Sequence, residues 1–235
     1  MTAIGLVSPK HAPGTTTAAV ALALAAGDGA LVVEADAAGG DIAARAGLPL
    51  EPGLLTMAAA GRHGGSAASL RPQCLPSGVD AVVAPTSPDQ AAAALGAIAD
   101  RLVSATRHRD VVCVDCGRWS PVTAVPVVLA ACDVIVVVTD PTVAGIEHVR
   151  CRLDAISAIG PPVTVLLVGD RPYGAGEVED AVGVPVAGAL VVDPRGAASV
   201  YAGPPRLAGK SQLCRSARPV IDRLAQLAAR TEVSA

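Results

Sequence analysis

"GLVSPKHAPGTTTAAVALALAAG", residues 5–27, is the stretch whose reading decides the fold. An apolar run gives way to a Pro/Gly turn, and the turn to an alanine-rich segment opened by three threonines. Strand, turn and helix in that order gather the backbone N–H groups of the turn and the first helical turn around one point. That is a cradle for an anion such as phosphate. Gly14 stands where backbone must approach the anion closely. The pattern G-x-x-x-x-G-K-[ST] is not met, because Thr15 holds the place of the lysine and Lys10 comes five residues earlier. On spacing alone, an ordinary strand–turn–helix with a threonine cap reads the same way.

Working outward, further apolar runs rich in Val and Ile fall at 30–35, 80–84, 110–115, 133–139, 163–169 and 184–192, besides 3–7 within the opening stretch. They are continuous rather than alternating, which predicts strands covered on both faces. Helical segments are predicted between most of them, at 15–26, 88–105, 142–158 and 175–181. The βαβα rhythm predicts an α/β fold, a single doubly wound and mostly parallel sheet with helices on both faces. The segment 49–78 is the least regular and reads as short helices and loops. "RSARPVIDRLAQLAARTEV" carries Val220, Ile221, Leu224, Leu227 and Ala228 at helical spacing, so a terminal helix at about 214–230 is expected to dock on the one domain spanning 1–235.

Composition narrows the function. Hydrophobic residues make up 51% and aromatics 1%, with no Phe, so the core must be built from Ala, Val, Leu and Ile. Only two lysines occur, Lys10 and Lys210, among 18 basic residues, which makes a lysine in the turn unlike background. The arginine-for-lysine bias suits a GC-rich genome. A net charge of −3 with no basic arm gives direct nucleic-acid binding no support. The terminal segment lacks aromatics and a lysine on its polar face, so membrane anchoring has none either. Cys113 and Cys116 have C-x-x-C spacing but lie along an apolar strand, and the four histidines share no ligand spacing. Free thiols and the absence of a signal-peptide pattern or membrane span place the expected location in the cytoplasm.

Ligands of such sheets sit at the carboxyl ends of the strands. After the second strand come Glu34, Asp36 and Asp41; the strand at 110–115 ends on Asp115, with Gly117 just behind. Two strand-end acid clusters beside an anion cradle suggest a Mg²⁺-nucleotide site.

Together these features resemble the ParA/MinD family of deviant Walker A P-loop ATPases, over nearly the whole chain. That family's loop reads K-G-G-x-G-K-[ST]-T. Its signature lysine falls on Lys10, its last glycine on Gly14, its second lysine on Thr15 and its Mg²⁺-binding hydroxyl on Thr16. Pro13 and Thr17 fall within the same phosphate-binding loop. Its D-x-D falls on Glu34 and Asp36, and its Walker B aspartate on Asp115. The resemblance therefore implies ATP and Mg²⁺ as ligands, with Thr16, Asp115 and Glu34 at the metal. It implies Asp36 and Lys10 as catalytic residues, Asp36 orienting the attacking water and Lys10 reaching a partner's phosphates across a homodimer. Asp170, Arg171, Asp193 and Pro194 fall where the family holds adenine. A protein partner in a positioned assembly is implied as well: pilus or secretion, division or partitioning machinery, with the TadZ/CpaE-like branch suggested by the altered loop.

The departures cut against tight binding. His11, Ala12 and Pro13 replace small or donor residues, and proline offers no N–H. A lost lysine contact of about 1.5–3 kcal/mol weakens binding roughly tenfold to a hundredfold. Weak ATP binding with slow hydrolysis is the reading; the alternative is a non-hydrolysing scaffold that keeps the fold and partner surface.

Overall fold

The computed structural model describes residues 1–10, 13–62 and 72–234. In chain order the elements are β1 (Thr2–Ser8), α1 (Thr15–Ala26), β2 (Ala30–Glu34), α2 (Ile42–Ala46), α3 (Leu54–Arg62), β3 (Gln73–Cys74), β4 (Asp80–Val82), α4 (Pro88–Ile98), β5 (Val111–Arg118) and α5 (Val125–Ala130). There follow β6 (Val134–Thr139), α6 (Val143–Ser157), β7 (Val163–Val168), α7 (Ala175–Val182), β8 (Val186–Leu190), α8 (Pro194–Ala202), α9 (Pro205–Ala208) and α10 (Gln212–Ser234).

The strands form one sheet in the order β3-β4-β2-β5-β1-β6-β7-β8. All neighbours are parallel except the short β3, which runs antiparallel to β4. The apolar runs are continuous because both faces are covered. Val112 and Val114 of β5 enter one core with α4, α5 and α6, while Cys113 enters the other with α1 and α10. Burial pushes the Cys113 thiol up to about 12, and all six cysteines are free. Strand order puts β5 between β1 and β2, with Asp115 in register with Leu6 on one side and Glu34 on the other. The strand ends that carry the acids are thus level with the end of the strand that feeds the opening loop.

Helix α1 lies between the sheet and α10, and every residue from Ala18 to Ala23 is buried. Alanine is what allows a helix so close an approach on several sides at once. α10 packs on α1 and β8 through Val220, Ile221 and Leu224.

Two expectations are corrected. The helix foreseen over 88–105 ends at Ile98 and is followed by a turn and a 3₁₀ turn at Ser104–Thr106. There the Ser104 hydroxyl donates to the Arg101 carbonyl and the Thr106 hydroxyl to that of Val103, drawing the chain out of the helical ladder. Within 49–78 the ordered pieces are α3 and β3, and residues 63–71, His63 among them, lie outside the described residues. The short α2, α5, α8 and α9 had no strong signal of their own. Among the described residues, no helix is long and apolar enough to cross a membrane.

Candidate functional site

The turn between β1 and α1 is built by backbone geometry. Gly14 caps α1 in the left-handed conformation (φ 99°, ψ 31°), a region costly to any residue with a Cβ. No side chain caps the helix, so its first N–H groups are left for a ligand. Thr15, in the lysine's place, is buried with Oγ1 unpartnered. The Thr17 hydroxyl pairs with the Tyr201 hydroxyl of α8 at 3.0 Å. Lys10 is exposed after β1 and stands apart from the residues lining the cavities below, while His11 and Ala12 lie outside the described residues.

β5 runs on past the 110–115 expected from sequence, and within it Asp115, three residues before its end, is fully buried. Its Oδ1 accepts from the Gly117 N–H at 3.0 Å, and its Oδ2 has no partner. Burial pushes its carboxyl up to about 7; the nearby Thr16 hydroxyl offsets part of that without satisfying Oδ2, and the Glu34 charge adds to the rise. Asp36 caps its own turn by accepting from the Ala38 N–H at 2.8 Å. Its carboxyl is also raised, by burial first, against the Ala38 bond and the Arg118 charge that lower it. Gly117 (φ 61°) lies so close that a Cβ there would overlap the Asp36 carboxylate. The Ser8 hydroxyl donates to the Gly117 carbonyl and the Trp119 N–H to the Ser8 carbonyl, tying the end of β1 to this turn.

Glu34 does other work than its place in the sequence implies. Its Oε1 accepts from the Asp41 and Ile42 N–H groups at 2.6 and 2.9 Å, and its Oε2 from the Ala84 N–H at 2.8 Å. Both oxygens are committed to backbone, so the carboxylate clamps α2 to the ends of β2 and β4. Gly40 permits this, because a Cβ there would meet Glu34 and the Ala84 carbonyl.

These groups surround a cavity of about 440 Å³, lined by Gly14 to Thr17, Asp36, Gly117 and two guanidinium side chains, Arg45 and Arg118. A second, apolar slot of about 160 Å³ shares Gly14 and Thr17 with it and is walled by Pro13, Val168, Leu190, Val192 and Pro194. Asp193 stands at this slot, but its carboxylate accepts from the Gly196, Gln212 and Leu213 N–H groups, capping α8 and holding the start of α10. Asp170 and Arg171 are exposed beyond β7 and line neither space.

The residues fit a magnesium nucleotide on three counts. Asp115 Oδ2 is a buried carboxylate oxygen without a partner, Thr16 is beside it, and the uncapped helix start faces the same cavity. Among the described residues no group of three or more His, Cys, Asp or Glu could hold a metal. Mg²⁺ does not require one, since it keeps waters and takes one or two protein ligands plus phosphate oxygens. Sequence reasoning missed Arg45 and Tyr201. The i, i+4 spacing of Asp41 and Arg45 was a usable signal; nothing local pointed to Tyr201.

No family model matches the chain, and no curated protein is similar to it in sequence. Solved structures are similar in fold. The cell division ATPase MinD of Pyrococcus furiosus superposes with a TM-score of 0.78 at 17% identity, over 96% of this chain and 99% of that one. A ParA family ATPase from Chlorobium tepidum TLS gives 0.76 at 18% identity, over 95% and 98%. The septum site-determining protein MinD of Pyrococcus horikoshii, complexed with Mg-ADP, gives 0.76 at 15% identity, over 97% and 98%. The chain has the MinD/ParA fold, a P-loop NTPase architecture, over almost its full length.

Proposed function

We propose that this chain is a nucleotide switch of the MinD/ParA type, which binds Mg-ATP weakly, hydrolyses it slowly and positions a cellular assembly. The observation that carries the reading is the unpartnered Oδ2 of Asp115, fully buried next to Thr16 in the first turn of α1, whose uncapped start lines the cavity. In this reading the N–H groups from Gly14 to Thr17 hold phosphate oxygens, and Thr16 and Asp115 hold Mg²⁺. The apolar slot beside Pro13 and Pro194 takes the base by its faces. When bound, the ion neutralises charge on the transferred phosphoryl group. Asp36 accepts a hydrogen bond from the attacking water, aims it at the terminal phosphorus and takes up the proton as the bond to ADP breaks. Its raised carboxyl suits a proton acceptor. Glu34 acts through the backbone it clamps rather than at the metal.

Weak binding follows from Thr15 and Pro13, which remove a charge and an N–H from the loop. Lys10 is exposed after β1. In this reading it reaches the phosphates of a second copy, giving an ATP-dependent homodimer whose surface engages a protein partner. A pilus, secretion, division or partitioning apparatus is the class of cargo, and the cytoplasm is the compartment. The altered loop favours the TadZ/CpaE-like branch. It is also the observation that favours the second reading, a non-hydrolysing scaffold that keeps the fold and partner surface and does little or nothing with ATP.

One experiment separates the two. Millimolar Mg-ATP should raise the melting temperature, since a ligand bound only to the native state stabilises it. Asp36→Ala should abolish phosphate release while keeping that shift, and Lys10→Ala should abolish ATP-dependent dimerisation in light scattering. No thermal shift with ATP, ADP or GTP would leave the scaffold as the reading.

A further inference from the structure

The loop lacks its lysine, yet the cavity does not lack positive charge. Arg45, on α2, lines it opposite the start of α1. Its guanidinium lies over the Tyr201 ring, 5.3 Å from the centroid, and its Nη2 donates to Asp41 Oδ2 at 3.1 Å. Tyr201 is buried and its hydroxyl meets Thr17 in the first turn of α1, so the strut that carries Arg45 ends on the helix that carries the phosphate cradle. α2 is itself fixed at its start by two Glu34 bonds, to the Asp41 and Ile42 N–H groups, while a third ties Glu34 to Ala84. A guanidinium offers five donors in a rigid fork, and one bond to Asp41 leaves others free. The side chain remains about half exposed, at 50%. The second guanidinium, Arg118, is near enough to Asp36 for its charge to lower that carboxyl's pKa.

We propose that Arg45, held by Tyr201 and Asp41, binds the phosphates of the nucleotide and supplies the charge that Thr15 withholds. This deepens the nucleotide reading above and rests on it. Stacking and ion pairing pre-order the side chain, so little rotamer entropy is lost when it meets phosphate. The cation therefore comes from α2 rather than from the loop, and binding would draw α2 and α1 together across the cavity.

The test is calorimetric titration of Mg-ATP, with Mg-pyrophosphate as a competitor that carries phosphate and nothing else, on the full chain and two variants. Arg45→Ala should weaken both ligands by the same factor, about tenfold to a hundredfold, the worth of one charge-assisted bond. Arg45→Lys, which keeps the charge but not the fork, should lose less, and its unchanged melting temperature would show that folding is not the cause. Three results overturn the proposal: ATP affinity unchanged in Arg45→Ala, ATP weakened while pyrophosphate competes equally well with both chains, or Arg45→Lys as damaged as Arg45→Ala. A wild-type chain that binds neither ligand overturns the nucleotide reading itself.

Discussion

Replacing Asp115 with Asn should make the metal-free protein more stable above neutral pH and remove its response to Mg²⁺. Burial lifts the folded-state pKa of Asp115 from 3.8 to about 7. A carboxyl raised on folding binds more protons in the native state than in the unfolded one. Its contribution is therefore best below pH 3.8, falls as pH rises, and is fully adverse once the pH passes about 7. At 1.36 kcal/mol per unit, the cost of holding this charge at pH 8 is about 4 kcal/mol. An asparagine avoids that cost but leaves an amide unpaired, at about 1–3 kcal/mol, so a net gain of about 2 kcal/mol is expected. Urea midpoints measured with a chelator from pH 5 to 8 should fall for the wild type and stay flatter for Asp115→Asn. Glu34 and Asp36 are raised in the same direction and both chains carry them, so the difference between the curves reports Asp115 together with its coupling to these two carboxyls. Mg²⁺ should restore the wild type at pH 8 and do nothing for the variant. Parallel pH curves for the two chains would refute the reasoning, and so would an equal response to Mg²⁺.

Glu34→Gln should lower the urea midpoint by the equivalent of about 1–3 kcal/mol, because one of its oxygens becomes a donor facing the Ala84 N–H or the Asp41 and Ile42 N–H groups. The same variant should weaken Mg-ATP in calorimetry, since it frees the helix that carries Arg45. Gly117→Ala puts a Cβ against the Asp36 carboxylate at φ 61°, a conformation costing about 1–2 kcal/mol. Phosphate release should fall well below the wild-type rate while ATP still produces a thermal shift.

The sheet and α1 were legible because their signals are local. A continuous Val and Ile run means a strand covered on both faces, and Gly14 before three threonines means a turn entering a helix. Asp115 was legible too, as the acid at the end of an apolar run, although β5 continues past it to Arg118. What the sequence hides is where a polar group's bonds go once the chain has folded. Glu34 looks like half of a metal-binding pair, but its partners include the Ala84 N–H, 50 residues away and just past the end of β4. Asp193 looks like a base-recognition residue, but it holds the start of α10, with Gln212 and Leu213 as partners 19 and 20 residues on. In both cases a carboxylate that position alone assigns to a ligand is spent on backbone, and the loops it fixes become the walls of the cavity instead.

The same asymmetry bears on the altered loop. That Thr15 stands where the resemblance expects a lysine is plain in one line of sequence, whereas Arg45 reaches the cavity through Glu34 seating α2, Asp41 pairing with the guanidinium and Tyr201 arriving from α8 beneath it. A deletion is a property of one position; a compensation is a property of a surface assembled from several elements. A loop judged only by its own residues therefore reads as more degraded than the cavity around it. Whether such a loop has lost its charge must be decided over every cation that lines the cavity, and in this chain that sets Arg45 of α2 beside the start of α1.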